Sequence, residues 1–114
     1  MSKDIEVSTR VKGEVSIIDI KGDVTALTGE PIEDAYKEVS NSGAKKILLY
    51  FEKEGYINSG GIAILIGIVS QSRKKEQVIR ATGLSDHFQK IFGMVGLTKY
   101  AQIFQSEEAA LEKF

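Results

Sequence analysis

The hydroxyl group of Ser59 has the sequence context best suited to chemistry in this chain. It belongs to the segment Tyr56-Ile57-Asn58-Ser59-Gly60-Gly61, which separates two apolar runs, residues 47–51 and 62–69. If the second run is a helix, Ser59 lies at or next to its N-cap, where N–H groups without partners carry partial positive charge. A phosphate group on Ser59 would be stabilised there and would add about −1.5 to −2 charges to the surface. The same residues also fit a simple helix cap, with glycines that shape the turn.

Residues for other kinds of chemistry are scarce. The chain has one histidine, His87, and no cysteine, which excludes thiolate catalysis, cysteine-ligated zinc and disulfides. His87 precedes the apolar residue Phe88, which predicts a solvent-facing imidazole without the partners that a general base needs. The acidic residues are scattered, and the sequence contains no zinc-binding or phosphate-binding motif. We therefore expect no catalytic residue, no metal site and no cofactor, and a protein that is not an enzyme.

Length and composition predict a single globular domain, residues 1–114. Hydrophobic residues make up 42% of the chain and charged residues 27%, so an ordered core is expected. The formal net charge of −1 predicts no nucleic-acid partner, and the basic stretch Arg73-Lys74-Lys75 suits a solvated helix end. The longest apolar run, 62–69, is far shorter than the roughly 20 residues that cross a bilayer. We expect no membrane insertion and a cytoplasmic location.

Strand patterns and helix patterns alternate along the chain. Apolar and polar residues alternate over 5–11, and a second strand is predicted over 15–20, with Gly13 in the hairpin turn. Three further strands are predicted over residues 47–51, 77–81 and 101–104. Helices between the later strands indicate parallel pairing with right-handed crossovers. The expected fold is α/β, a mixed, mostly parallel sheet with an N-terminal β-hairpin and about four helices, in the order β-β-α-β-α-β-α-β-α.

Capping residues and periodicity place the helices. Pro31 suits the first residue of a helix whose apolar residues recur at i, i+3, i+4 and i+7. The run 62–69 is predicted to be a mostly buried helix, because it continues into polar residues that end in cations, which suit the negative end of a helix dipole. Ser85 and Ser106 are the predicted N-caps of two further helices. Met94, Val95 and Leu97 could form a contact patch, but buried loop packing is the favoured interpretation.

The segment around Ser59 resembles the signature of STAS domains, in which an aromatic and an apolar residue precede Asp-Ser-Ser/Thr-Gly-Leu. The resemblance covers nearly the whole chain, because three other stretches match the family in the expected order. They are Ile18 to Asp23, similar to the second strand and its Gly-Glu turn, Ile47 to Phe51, similar to the central strand, and Phe92 to Leu97, similar to an F-x-x-x-G-L stretch. Four stretches in the correct order make the resemblance fairly specific.

The resemblance implies a role in the regulation of bacterial transcription. Single-domain STAS proteins are anti-sigma-factor antagonists, which bind an anti-sigma factor, often itself a serine-protein kinase, and so release the sigma factor. Phosphorylation of the signature serine, which aligns with Ser59, dissociates the complex, and a phosphatase, expected to be of the PP2C type, resets it. The partner-binding residues implied by the resemblance are Thr25, Asn58, Ser59, Gly60, Gly61 and Ile62.

Three positions depart from the family pattern. Asn58 stands in place of the signature aspartate, Gly60 in place of the second hydroxyl residue, and Thr25 in place of an acidic residue near the Gly-Glu turn. Loss of two carboxylates near Ser59 is compatible with altered recognition by a kinase, with different regulation, or with a constitutively active member.

Two other functions stay open at this point. STAS domains also serve as scaffold subunits of larger assemblies, such as lipid-transport ATPase complexes or stress-signalling particles, in which the serine need not be modified. A small-molecule or nucleotide binder is the second alternative, because backbone amides near Asn58 and Gly60 could hold a phosphate group. The sequence offers no residues that would read a base or a ribose, which disfavours the second alternative.

Overall fold

Five strands form one sheet in the computed structural model, which describes residues 5–52 and 55–114. Their order across the sheet is the order along the chain, and four α-helices connect or follow them. The strands are β1 (Ile5–Lys12), β2 (Val15–Gly22), β3 (Lys46–Phe51), β4 (Val78–Thr82) and β5 (Ala101–Phe104). The helices are α1 (Gly29–Asn41), α2 (Ser59–Lys74), α3 (Asp86–Met94) and α4 (Glu107–Leu111), with a 3₁₀-helix at Leu97–Lys99.

The sheet has the mixed pairing that the sequence predicts. β1 is antiparallel to β2, whereas β2, β3, β4 and β5 are parallel to one another. Lys12 pairs with Val15, which leaves a two-residue hairpin turn that begins with Gly13. The φ angle of Gly13 is +63°, in the region that glycine adopts without steric cost. The predicted hairpin and its turn residue are both confirmed.

Most helix predictions are confirmed by the observed caps. The Ser85 and Ser106 side chains accept hydrogen bonds from the N–H groups of Phe88 and Ala109, as expected for N-caps of α3 and α4. Residues 62–69 lie inside α2, so the apolar run is a helix and not a strand. The 3₁₀-helix after α3 was not predicted, since three residues are too few to show a period.

The start of α1 differs from the prediction. The helix begins at Gly29, which makes Pro31 its third residue instead of its first. Proline is tolerated at either position, because the first four N–H groups of a helix lack intrahelical partners. Gly29 lies against α2, where a Cβ atom at this position would be 2.7 Å from Cγ1 of Ile64. This contact between two helices is a tertiary feature that the local sequence pattern does not reveal.

The helices cover the two faces of the sheet unequally. α1, α2 and α3 pack on one face, where Ile18 and Leu49 belong to the main core. The short α4 covers part of the other face, where Ala110 packs with Ile17 and Leu48. Side chains of successive strand residues point to opposite faces, so β2 and β3 contribute to both cores.

Candidate functional site

The segment that contains Ser59 connects β3 to α2 and is fixed against the loop that follows β2. Ile57 forms a parallel bridge with Val24, and the Val24 N–H donates a hydrogen bond of 2.7 Å to the Tyr56 carbonyl oxygen. The Asn58 N–H donates to the Val24 carbonyl oxygen at 3.1 Å. These bonds place the start of α2 beside the carboxyl ends of the parallel strands, where open α/β sheets carry their sites.

Asn58 is the N-cap of α2, and Ser59 is the first residue of the helix. The Asn58 side-chain oxygen accepts a hydrogen bond of 2.9 Å from the Gly61 N–H, and its carbonyl oxygen accepts one of the same length from the Ile62 N–H. Ser59 is exposed, and no hydrogen bond to its hydroxyl is formed by the described residues. Asn58 therefore caps the helix, and the Ser59 hydroxyl faces solvent.

The two glycines at the start of α2 allow the loop after β2 to pack closely on the first turn of the helix. A Cβ atom at Gly60 would lie 2.8 Å from the Cβ atom of Ala26. A Cβ atom at Gly61 would overlap the carbonyl oxygen of Val24. Contacts within the chain therefore favour glycine at both positions, and the second hydroxyl residue of the STAS signature would meet Ala26.

Thr25 organises the loop between β2 and α1. Its hydroxyl accepts hydrogen bonds from the N–H groups of Leu27, at 3.1 Å, and Thr28, at 3.2 Å. The Thr28 hydroxyl accepts one from the Thr25 N–H at 2.8 Å. Leu27, at the tip of this loop, is 94% exposed. The bonds made by Thr25 thus hold an apolar side chain in solvent near the start of α2.

The structure brings the six predicted partner-binding residues into one region, where this loop meets α2, but their accessibility differs. Ser59 is exposed. Partial burial is found for Thr25, Asn58 and Gly60, and full burial for Gly61 and Ile62. The two buried residues therefore contribute to the packing beneath the accessible ones.

The exposed face of α2 is a feature that the sequence patterns did not reveal. Before the last turn of the helix, it consists of Ser59, Ala63, Ile66, Gly67 and Ser70, which lie on one side at i, i+4, i+7, i+8 and i+11. We call these five residues the α2 surface. Charged residues of α2 occur only in its last turn. The sequence signal was the absence of polar side chains from residues 60–69, since a helix on one face of a sheet needs only an apolar stripe.

Met94 and Val95 extend the exposed apolar region, contrary to the expectation that they are buried. Met94 is 81% exposed and Val95 is 45% exposed, whereas Leu97 is buried as expected. The reason is the backbone after α3: the helix ends at Met94, and Gly96 adopts a φ angle of +84°. This left-handed residue turns the chain so that Leu97 enters the core and the two preceding side chains do not.

A cleft of about 530 Å³ that contains several charged side chains lies on the face of the sheet that carries α4. Arg10 binds Asp19 at 2.7 Å and Glu107 at 2.8 Å, and Lys12 binds Glu107 at 2.8 Å. Hydrogen bonds from Arg10, and to a smaller extent from Lys12, lower the pKa of Glu107 to about 2. The hydrogen bonds that Arg10 donates to Asp19 and Glu107 raise the pKa of Arg10 itself. These charged groups are paired with one another, and the network ties β1 and β2 to the start of α4.

Side chains that could bind a metal ion do not converge within the described ranges. Among residues 5–52 and 55–114, no cluster of three acidic or histidine side chains is placed to hold a metal ion. His87 is exposed, as predicted, and its ring centre lies 4.9 Å from that of Phe88. A helix long and apolar enough to cross a membrane is also not found in this part of the chain.

Comparison with protein families gives a match over most of the chain. The family model described as Mlab, STAS domain matches residues 7–105. Among curated proteins, the anti-sigma-B factor antagonist of Staphylococcus aureus (strain NCTC 8325 / PS 47) is 17% identical over 105 residues. That alignment covers 92% of this chain and 97% of the relative.

Two solved structures share the fold. The crystal structure of an anti-sigma factor antagonist from Mycobacterium paratuberculosis aligns with a TM-score of 0.81 and 17% identity, over 94% of this chain and 91% of that chain. The Bacillus cell fate determinant SpoIIAA in its phosphorylated form aligns with a TM-score of 0.65 and 19% identity, over 92% of this chain and 95% of that chain. The predicted α/β fold is confirmed by these likenesses.

Proposed function

The chain belongs to the STAS domain family, and on this premise we propose that it is an anti-sigma-factor antagonist switched by phosphorylation of Ser59. In the unphosphorylated form it binds an anti-sigma factor of the serine-kinase type and so releases a sigma factor. Addition of a phosphate group to Ser59 weakens the complex, and a phosphatase restores binding. The chain is the substrate of the kinase in this cycle.

The exposed position of Ser59 is the observation that carries the proposal. A kinase needs a hydroxyl that solvent and a second protein can reach, and Ser59 is exposed on the first turn of α2. The Asn58 side chain already binds the Gly61 N–H, so modification of Ser59 does not remove a cap. Phosphorylation is therefore compatible with an intact fold.

The α2 surface and its surroundings favour a protein partner. The helix is free of charge from Ser59 until its last turn, and exposed apolar side chains flank it at Leu27 on one side and Val95 on the other. An uncharged surface flanked by exposed apolar side chains is typical of an interaction site. We infer that the anti-sigma factor docks here, with Ser59 at one end of the interface.

Electrostatics gives the switch a physical basis. On the free protein, a phosphate on Ser59 lies at the positive end of a 16-residue helix, which stabilises it. In the complex, the same dianion must lose its water at an interface that is otherwise uncharged on this side. A hundredfold loss of affinity requires about 2.7 kcal/mol, which the desolvation of one unpaired charge can supply.

The departures from the family signature are compatible with this proposal. Asn58 caps α2 through its side-chain oxygen, which is also how an aspartate would cap it. Gly60 suits the close approach of Ala26, and Thr25 orders its loop through hydrogen bonds to backbone N–H groups. The substitutions therefore preserve the local structure and change the charge near Ser59.

Kinase treatment followed by mass spectrometry tests the proposal. We expect the serine-kinase anti-sigma factor of the source organism, with ATP, to add one phosphate to the tryptic peptide 54–73. That peptide also contains Ser70 and Ser72, which serve as internal controls. Ser59→Ala should remove the modification. Phosphate on another residue, or no phosphate at all, would contradict the proposal.

A scaffold subunit is the second candidate, and the exposed, uncharged α2 surface favours it equally. In this case the partner is the ATPase of a lipid transporter or a protein of a stress-signalling assembly, and Ser59 is not modified. Affinity capture from the source organism separates the two functions. A kinase-like ATPase as the bound protein supports the switch, and a transport ATPase supports the scaffold.

A further inference from the structure

A groove of about 220 Å³ lies between α2 and the turn that follows α3. Its buried floor contains Val69 and Leu97, and its half-open walls contain Ile66 and Val95, which are 43% and 45% exposed. Small-molecule sites usually enclose about 300–1,000 Å³, so this groove is too small for a whole ligand. Its size and apolar lining suit one large apolar side chain of a second protein.

One end of the groove is lined by the cation Arg73. The Arg73 guanidinium carbon lies 4.0 Å from the centre of the Tyr100 ring, so the aromatic face holds the charge in place. Lys74 follows Arg73 in the last turn of α2, and Lys99 immediately precedes Tyr100 in the sequence. All three cations are exposed, and none forms a salt bridge with the residues that the structure describes. Glu76 is the nearest acidic residue along the chain.

We propose that this groove binds an acidic, amphipathic helical segment of the anti-sigma factor, with one apolar side chain in the groove and a carboxylate at Arg73. The assignment rests on the proposed function and adds the chemistry of the partner segment. Amphipathic helices bind to apolar grooves through side chains spaced by three or four residues. The fixed guanidinium group selects a carboxylate next to the apolar anchor.

The groove and Ser59 belong to one surface but act separately. Ile66 and Ser70 are shared by the groove and the α2 surface, so the two regions are continuous. Arg73 is 14 residues after Ser59, which at about 1.5 Å per residue places them about 21 Å apart along the helix. A typical interface of about 800 Å² per partner extends over that distance. The separation exceeds the Debye length of about 8 Å, so Arg73 does not neutralise a phosphate on Ser59.

Affinity titrations with the kinase that modifies Ser59 test the inference. Val95→Ser and Arg73→Glu should each weaken binding by at least about fivefold. Arg73→Glu should also reduce the dependence of affinity on salt, which a change in folding alone would not do. The matched controls are Val11→Ser on β1 and Lys37→Glu on α1, both exposed, and they should stay within about twofold of the wild-type affinity.

Two results distinguish the inference from the proposed function. If wild type binds and all four variants bind equally well, the groove is not a docking site, although the proposed function stands. If wild type does not bind the kinase at all, the proposed function fails and the groove assignment fails with it. A combined Ser59→Asp and Arg73→Glu variant should lose the sum of the two free energies, because the sites are too distant to couple.

Discussion

The Asn58 side-chain oxygen and the Gly61 N–H are joined by a hydrogen bond of 2.9 Å across the first turn of α2. Ser59 lies between these two residues and takes no part in the bond. The capping function and the exposed hydroxyl are therefore divided between neighbouring residues. This division allows the hydroxyl to be modified without loss of the helix start, and it makes the two properties separately testable.

Loss of the cap should lower stability without a change in charge. Asn58→Ala removes the acceptor of the Gly61 N–H, so the free energy of unfolding should fall by about 1 kcal/mol in urea denaturation. Asn58→Asp keeps an acceptor and places a negative charge at the helix N-terminus, so it should retain wild-type stability or exceed it slightly. Equal stability of the alanine and aspartate variants would show that the bond contributes nothing.

Charge at position 59 should control partner binding. Ser59→Asp imitates part of the phosphate charge and should bind the anti-sigma factor at least about tenfold more weakly than wild type, a change of about 1.4 kcal/mol. Ser59→Ala should bind as wild type does and should resist inactivation by the kinase. Gln102→Glu, an exposed change on β5, adds the same charge elsewhere and should leave affinity unchanged. Isothermal titration calorimetry measures the partner affinities of all three variants. Similar affinities for the alanine and aspartate variants would count against the switch.

Two glycines of α2 should respond in opposite ways to alanine. A Cβ atom at Gly61 would overlap the Val24 carbonyl oxygen, so Gly61→Ala must displace the loop after β2 and should lower stability by about 1–3 kcal/mol. At Gly67 a Cβ atom meets nothing within 4 Å, and alanine favours the helix by about 0.5–1 kcal/mol. Gly67→Ala should therefore raise the urea midpoint. A gain in stability for Gly61→Ala would contradict the contact with Val24.

The ion pairs of Glu107 should make stability depend on pH. The pKa of Glu107 is lowered from 4.5 to about 2 in the folded protein. The contribution of the ionised Glu107 to the free energy of unfolding is therefore complete above pH 4.5 and is lost as pH falls toward 2. Glu107→Gln should reduce the free energy of unfolding by about 1 kcal/mol at pH 7, a modest value because 39% of the Arg10 side chain is exposed. The difference in the free energy of unfolding between Glu107→Gln and wild type should shrink as the pH falls from 4.5 to 2.5. Glu108→Gln, an exposed change on the same helix, is the control, and a constant difference for Glu107→Gln would exclude the ion pairs as its cause.

The sequence by itself determined the order of elements, the hairpin, the mostly parallel pairing and the place of Ser59 at the start of a helix. These properties depend on local chemistry, since strand alternation, helix caps and turn glycines such as Gly13 act within a few residues. The signature around Ser59 is also a local pattern, which is why the family could be identified from it.

Only the tertiary structure decided which residues around that helix are accessible. Gly61 is buried against the loop after β2 and Ile62 packs in the main core, whereas Met94 and Val95 are exposed because Gly96 turns the chain beyond them. Burial depends on contacts between segments distant in sequence, so hydrophobicity alone does not distinguish a core residue from an exposed docking residue. The groove beside Arg73 arises in the same way, from the packing of two elements that the sequence places more than 20 residues apart.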